Sequence, residues 1–182
     1  MSGRSKTIAT YAVCLALSLI LSLLEGAFPP PVPALPYVKL GLSNLPFLFL
    51  FAVATERKWV IYAVLAVKCL LASLFAGAIT MVLYSLPSAL AAFGVTHLLI
   101  KTAKFGLPAI SAFSAAVFNA VQLLAACAVA GSGLMYLMPY MLAAGVAAGF
   151  VTGTVVWLVI KYMPATYLLT EAAQESSDEN NP

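Results

Sequence analysis

The chain is poor in charge and nearly empty of the side chains that most enzymes use. Of its 182 residues, 8% are Asp, Glu, Lys or Arg and 63% are hydrophobic. A water-soluble domain carries about 25% charged residues, so too little polar surface is available to cover a globule in water. His97 is the single histidine and Asp178 the single aspartate. A Ser–His–Asp set cannot be drawn from them, and no aspartate cluster could hold Mg²⁺ and a diphosphate. A Walker A loop is missing, so the chain has no ATP hydrolysis of its own, and no histidine pair is present to hold haem. Cys14, Cys69 and Cys127 stand apart within apolar runs, without a CxxC pair or metal-ligand spacing. They read as small packing residues. The expectation is a protein that is not an enzyme and has no resident cofactor or metal.

What fills the sequence instead is long apolar runs, giving a mean hydropathy of +1.03. A helix needs roughly 20 apolar residues to cross the hydrocarbon. Barrel strands would alternate apolar and polar residues, and these runs are continuous. The expected fold class is all-α, a polytopic bundle of six transmembrane helices within residues 1–165. Residues 166–182 are expected to form a disordered acidic cytoplasmic tail. The helices are expected over Thr7–Ala27, Val38–Ala54, Trp59–Ala76, Thr80–Ile100, Leu107–Ala130 and Leu134–Tyr162. The basic, then apolar N-terminus reads as a retained first helix rather than a cleaved signal. Between the first two helices lies a link with Pro29, Pro30, Pro31, Pro33 and Pro36, expected to be extended and stiff.

The basic residues assign the sides. Arg4, Lys6, Arg57, Lys58, Lys101, Lys104 and Lys161 flank helix ends that six crossings place on one face. The positive-inside rule makes that face cytoplasmic. Both termini are then cytoplasmic, in a multi-pass protein of the cell's inner (cytoplasmic) membrane, with the proline-rich link, Gly77 and Gly131 outside.

Two lysines break that rule. Lys39 opens the second helix at the outer face, and Lys68 falls near the middle of the third. Charge within a bilayer is costly and marks function by default. Glu25, Asn44, Tyr84 and Ser85 lie at comparable outer depth. Asn119 and Gln122, three apart, share a helix face there. The inner half shows no comparable set, so the expectation is a polar cavity opening outward and capped by the proline-rich link. Substrate-binding candidates are Glu25, Lys39, Asn44, Lys68, Tyr84, Asn119 and Gln122. Simpler roles stand beside this reading: snorkelling for Lys39, a Glu25–Lys39 pair, and interhelical hydrogen bonding for the two amides. Gly145, Gly149 and Gly153 form two consecutive GxxxG steps, which permit close approach of a helix from this chain or a partner.

Several stretches resemble a known family. Pro36-Tyr37-Val38-Lys39-Leu40-Gly41-Leu42-Ser43-Asn44 is similar to the PGxKLGLAN signature of the Gx transporter family, also labelled heptaprenyl diphosphate synthase component I. Lys68-Cys69-Leu70-Leu71-Ala72-Ser73-Leu74 resembles its RxLLxSL segment, with lysine in place of arginine. Leu83-Tyr84-Ser85-Leu86 is similar to its FSL segment. Ala116-Val117-Phe118-Asn119-Ala120-Val121-Gln122-Leu123 resembles AVAHNxxQL, with Phe118 in the histidine's place. Tyr136-Leu137-Met138-Pro139 with the three glycines is similar to the family's ending.

That family is similar to the S components of energy-coupling factor (ECF) transporters. The resemblance implies a six-helix S-component fold that binds ligand near the outer face. It also implies a transmembrane coupling subunit, served by two ATPases, that meets alanines of the first helix, here Ala9, Ala12 and Ala16. The leading expectation is a substrate-binding membrane subunit for uptake of a small polar, vitamin-like, anionic metabolite. Two alternatives are a membrane component of flavin- or quinone-linked extracellular electron transfer and an accessory prenyl diphosphate-handling protein. A small-molecule ligand and the lipid bilayer are the expected partners, and nucleic acid is not.

Overall fold

A computed structural model describes residues 3–27, 41–53, 58–77, 79–102 and 104–163. The proline-rich link, Lys39 and the acidic tail lie outside the described residues. All the regular structure described is helical: α1 (Gly3–Ala27), a 3-10 turn (Leu42–Asn44), α2 (Leu45–Val53), α3 (Lys58–Phe75), α4 (Met81–Thr102), α5 (Leu107–Ala130), a second 3-10 turn (Ser132–Leu137) and α6 (Met138–Tyr162).

Among the described residues, four stretches are long and apolar enough to cross a membrane: Ile8–Ala27, Met81–Thr102, Leu107–Val129 and Ser132–Tyr162. The apolar stretches of α2 and α3, Leu42–Val53 and Trp59–Phe75, are shorter. The second helix therefore differs from the sequence expectation. Gly41 sits in the left-handed region (φ 87°), and its carbonyl takes the Asn44 N–H at 3.0 Å. A residue with a side chain resists that conformation, so glycine permits a tight turn there and the α-helix starts only at Leu45. The sixth helix likewise begins at Met138, after a 3-10 turn, with Pro139 in its first turn where a missing N–H costs nothing.

The helices pack about an aromatic core. Phe51 of α2 stacks on Phe93 of α4 (centroids 5.0 Å apart, 14° between planes) and meets Tyr62 of α3 edge-on at 5.3 Å. Phe47, Ile61, Leu65 and Phe118 close the same cluster. A second cluster, Leu123, Ala126 and Met141, joins α5 to α6 near the opposite end, with Tyr84 packed against it. Ile8, Val13, Leu17 and Ile20 on α1 and Val146, Phe150, Val151 and Val155 on α6 are exposed. Lipid is the environment in which such faces are stable.

The glycines of α6 seat α5 and not an outside helix. A Cβ on Gly149 would come within 2.7 Å of the Ser111 carbonyl, and one on Gly153 within 2.7 Å of the Pro108 Cα. A Cβ on Gly145 would strike the Asn119 side chain. The order of these contacts makes α5 and α6 antiparallel, backbone against backbone.

Candidate polar site

The site begins with Lys68, one helical position among apolar neighbours on α3, and 6% exposed. Its Nζ donates to Ser43 Oγ at 2.9 Å and to Asn44 Oδ1 at 3.0 Å. Both acceptors belong to the 3-10 turn that Gly41 opens. The turn is held from its other side by α1. Glu25 Oε1 accepts the Gly41 N–H at 2.6 Å, and Ser18 Oγ donates to the Ser43 carbonyl. Gly41 to Asn44 thus form a collar of oxygens around the lysine, pinned to α1 at two points. A charge at a helix centre costs about 3 kcal/mol on insertion scales, and hydrogen bonds to oxygen offset part of that.

Beside Lys68 lies a cavity of about 40 Å³. Ser22 (α1), Gly41 and Ser43 (the turn), Ser73 (α3), Ser85 (α4) and Gln122 (α5) give it a polar lining, and Phe118 forms a wall. It sits toward the end of the bundle that carries Gly77 and Gly131. That volume holds a few waters.

Buried polar atoms without a hydrogen-bond partner cluster on the same elements. Among the described residues these are Glu25 Oε2, Gln122 Oε1 and both side-chain polar atoms of Asn119. Asn119 is fully buried and Gln122 is 2% exposed. An unpaired buried polar group costs about 1–3 kcal/mol, so each of these atoms weighs against the stability of the fold as it stands.

The sequence candidates therefore divide. Glu25, Asn44 and Lys68 are joined in one network, and Gln122 opens onto its cavity. Asn119 lies one turn from Gln122 but faces Gly145 of α6. Tyr84 packs into the Leu123 cluster, and α4 reaches the cavity through Met81, Ser85 and Ala89 instead. Lys39 lies outside the described residues. Ala9, Ala12 and Ala16 are all exposed on α1. Ser18, Ser22 and Ser43 were missed. Ser18, Ser22 and Glu25 recur at helical spacing along α1, a polar stripe on an apolar helix that would have exposed the first two.

Among the described residues, the inner half has no charged or amide set comparable to the outer one, but it does bury hydroxyls. Thr96, Ser111, Ser114 and Thr152 are all buried toward the end of the bundle that carries Lys101 and Lys161. They line a second cavity, also of about 40 Å³, whose wall again includes Phe118 and Gly41.

The description "heptaprenyl diphosphate synthase component I" belongs to a family model that matches residues 14–159, from α1 through most of α6. The chain belongs to this family. The match takes in Glu25, the glycine-opened turn, Lys68, Asn119, Gln122 and the α6 glycines. The name of the heptaprenyl diphosphate synthase component I family is that of one component, and so implies another beside it. Neither the curated proteins nor the solved structures give a match to the chain.

Proposed function

We propose that the chain is a substrate-binding subunit for uptake of a small polar metabolite, with ligand seated at Lys68. One observation carries this reading: a lysine buried in the bundle, gripped by the glycine-opened turn, beside a cavity onto which four serines and Gln122 open among apolar side chains. A purely structural lysine has no use for an adjoining polar void, because each polar group around the void raises the cost of leaving it empty. The ammonium suits an anionic or carbonyl group on the ligand. Glu25 Oε2 and Gln122 Oε1 suit N–H or O–H donors elsewhere on it.

In this reading the chain crosses the membrane six times, with both termini cytoplasmic and the Lys68 cavity toward the outside. α2 and α3 are short because the turn before α2 bends the chain inside the membrane, where it is tolerated against protein and a polar cavity. The exposed Ala9, Ala12 and Ala16 allow close approach of a partner helix, which fits an ECF-type coupling subunit driven by ATPases. The chain itself is a binding subunit and not a catalyst.

A second reading takes its support from the family name: an accessory role in handling prenyl diphosphate, whose phosphates would meet Lys68. Mass spectrometry of small molecules released from gently purified protein separates the two. A stoichiometric polar metabolite in the wild type, absent from Lys68→Met, is the expected result. A prenyl diphosphate in its place would favour the second reading. Equal occupancy in both proteins would remove Lys68 from the site.

A further inference from the structure

The Lys68 cavity ends against one aromatic ring. Phe118 of α5 walls it on one side and walls the second cavity on the other, and Gly41 borders both. The Phe118 side chain is 6% exposed, and a Cβ placed on Gly41 would stand 3.8 Å from its ring. Ring and turn are therefore close neighbours. A ligand chain cannot pass between them, because a methylene needs about 4 Å to the atoms on each side of it.

The two sides of the ring differ in chemistry. On the Lys68 side an ammonium, four serines and Gln122 border a void of about 40 Å³. The void on the far side is as large, and none of its lining residues is charged. Its hydroxyls are spent on near neighbours. Thr96 Oγ1 lies 2.7 Å from Ser114 Oγ and 3.0 Å from the Ala92 carbonyl, and Thr152 Oγ1 lies 3.2 Å from Ser111 Oγ and 3.0 Å from the Gly149 carbonyl. Leu45, Leu48 and Phe93 fill out the wall. Such a chamber suits a hydrocarbon chain, whereas a charged head placed there would lie without a partner.

We infer that Phe118 sets which ligands the Lys68 site accepts: its ring is a floor that limits the ligand to a short monoanion and keeps an apolar chain out of the space beneath. This rests on the uptake reading and names the class of ligand within it. One ammonium balances one negative charge, and among the described residues lining this cavity there is no second cation. A carboxylate therefore suits the site better than a diphosphate. A void that holds a few waters admits a head of a few heavy atoms, and the ring stops whatever would continue past it. Without the ring the two voids join, and a carboxylate at Lys68 gains a place for its hydrocarbon chain.

The test uses the full chain in lipid nanodiscs and the straight-chain carboxylates propionate, butyrate, pentanoate and hexanoate. Dissociation constants are taken from the rise of Tm with carboxylate concentration. The proteins are the wild type, Phe118→Ala, and each of these carrying Lys68→Met. The wild type is expected to bind propionate and to lose affinity as the chain lengthens. Phe118→Ala is expected to bind about fourfold more tightly for each added methylene, the gain for a CH₂ taken out of water. Lys68→Met is expected to remove binding from both. A folded Phe118→Ala with the chain-length profile of the wild type would overturn the floor, and so would a wild type whose affinity climbs as far as hexanoate. Either result, with propionate binding still lost on Lys68→Met, leaves the uptake reading standing. No Lys68-dependent binding of any carboxylate would overturn both. If Phe118→Ala does not fold, Phe118→Leu takes its place and is expected to shift the preference from propionate to butyrate by about fourfold, one methylene's worth. An unchanged profile in that variant overturns the floor equally.

Discussion

Lys68 Nζ and Asn44 Oδ1 meet at 3.0 Å across two helical elements, and the same asparagine lines the neighbouring cavity on its other side. The lysine and the turn before α2 are therefore one unit, and a change at either should be felt at the other. Lys68→Met is expected to keep the helical fold, because it removes a buried charge and puts a flexible apolar side chain of similar length in its place. Its Tm should equal or exceed that of the wild type, while the co-purifying ligand is lost. Asn44→Leu should reduce ligand occupancy with a stability loss of about 1 kcal/mol. Thermal unfolding and mass spectrometry of the same preparations check both.

Glu25 has two separable duties. Oε1 holds the Gly41 N–H, and Oε2 is buried without a partner. Glu25→Gln keeps an oxygen for Gly41 and should retain the fold. Glu25→Ala leaves the amide unpaired and should cost about 2 kcal/mol, since hydrogen bonds to charged groups contribute about 1.5–3 kcal/mol. Chemical or thermal denaturation of the two variants side by side separates holding the turn from binding ligand.

The α5–α6 contact tolerates almost nothing. Gly149→Leu forces a side chain into the Ala115 Cβ and the Ser111 carbonyl, and a loss of about 3 kcal/mol is expected. Gly145→Ala strikes the Asn119 side chain, which can turn aside, and meets the Ala115 carbonyl at 3.2 Å, less tightly than Gly149 meets α5, so it should cost less. Size-exclusion profiles and Tm values give the ranking.

Phe118 separates the two cavities, and Phe118→Ala should join them. The loss of a buried ring costs about 3–5 kcal/mol, and Phe118→Leu should recover more than half of it. A thermal series of the three proteins tests this.

The proposed six crossings predict a definite labelling pattern. In a background where Cys14, Cys69 and Cys127 are replaced, Gly77→Cys and Ser132→Cys should react with a membrane-impermeant maleimide from outside. Arg57→Cys and Lys104→Cys should react only after the membrane is opened. Arg57→Cys reacting from outside would instead make α2 and α3 a re-entrant pair.

Much of this was legible in the sequence, and unevenly so. Leu107–Ala130 was readable to the residue, because Pro108 and Gly131 punctuate a run that is otherwise continuous. The burial of Lys68 was legible because position 68 falls in the middle of an apolar helix. The start of α2 was not: its boundary depends on the φ angle of Gly41, which hydropathy cannot register. The hydroxyls of Thr96, Ser111, Ser114 and Thr152 were passed over for a related reason. Serine and threonine in apolar helices usually satisfy themselves on their own backbone, so in sequence they look inert. Only the packing of α4, α5 and α6 turns them toward one another.

The collar around Lys68 also bears on how the chain enters the membrane. Synthesis runs from the N-terminus, and the first helices meet the bilayer before α5 and α6 have been made. Ser43 and Asn44 precede Lys68 in the chain. The lysine therefore emerges from the ribosome with its oxygen partners already made and only a short hairpin away. Its insertion need not wait for the later helices, and a nascent chain arrested soon after Phe75 should already hold the Lys68 charge in the bilayer.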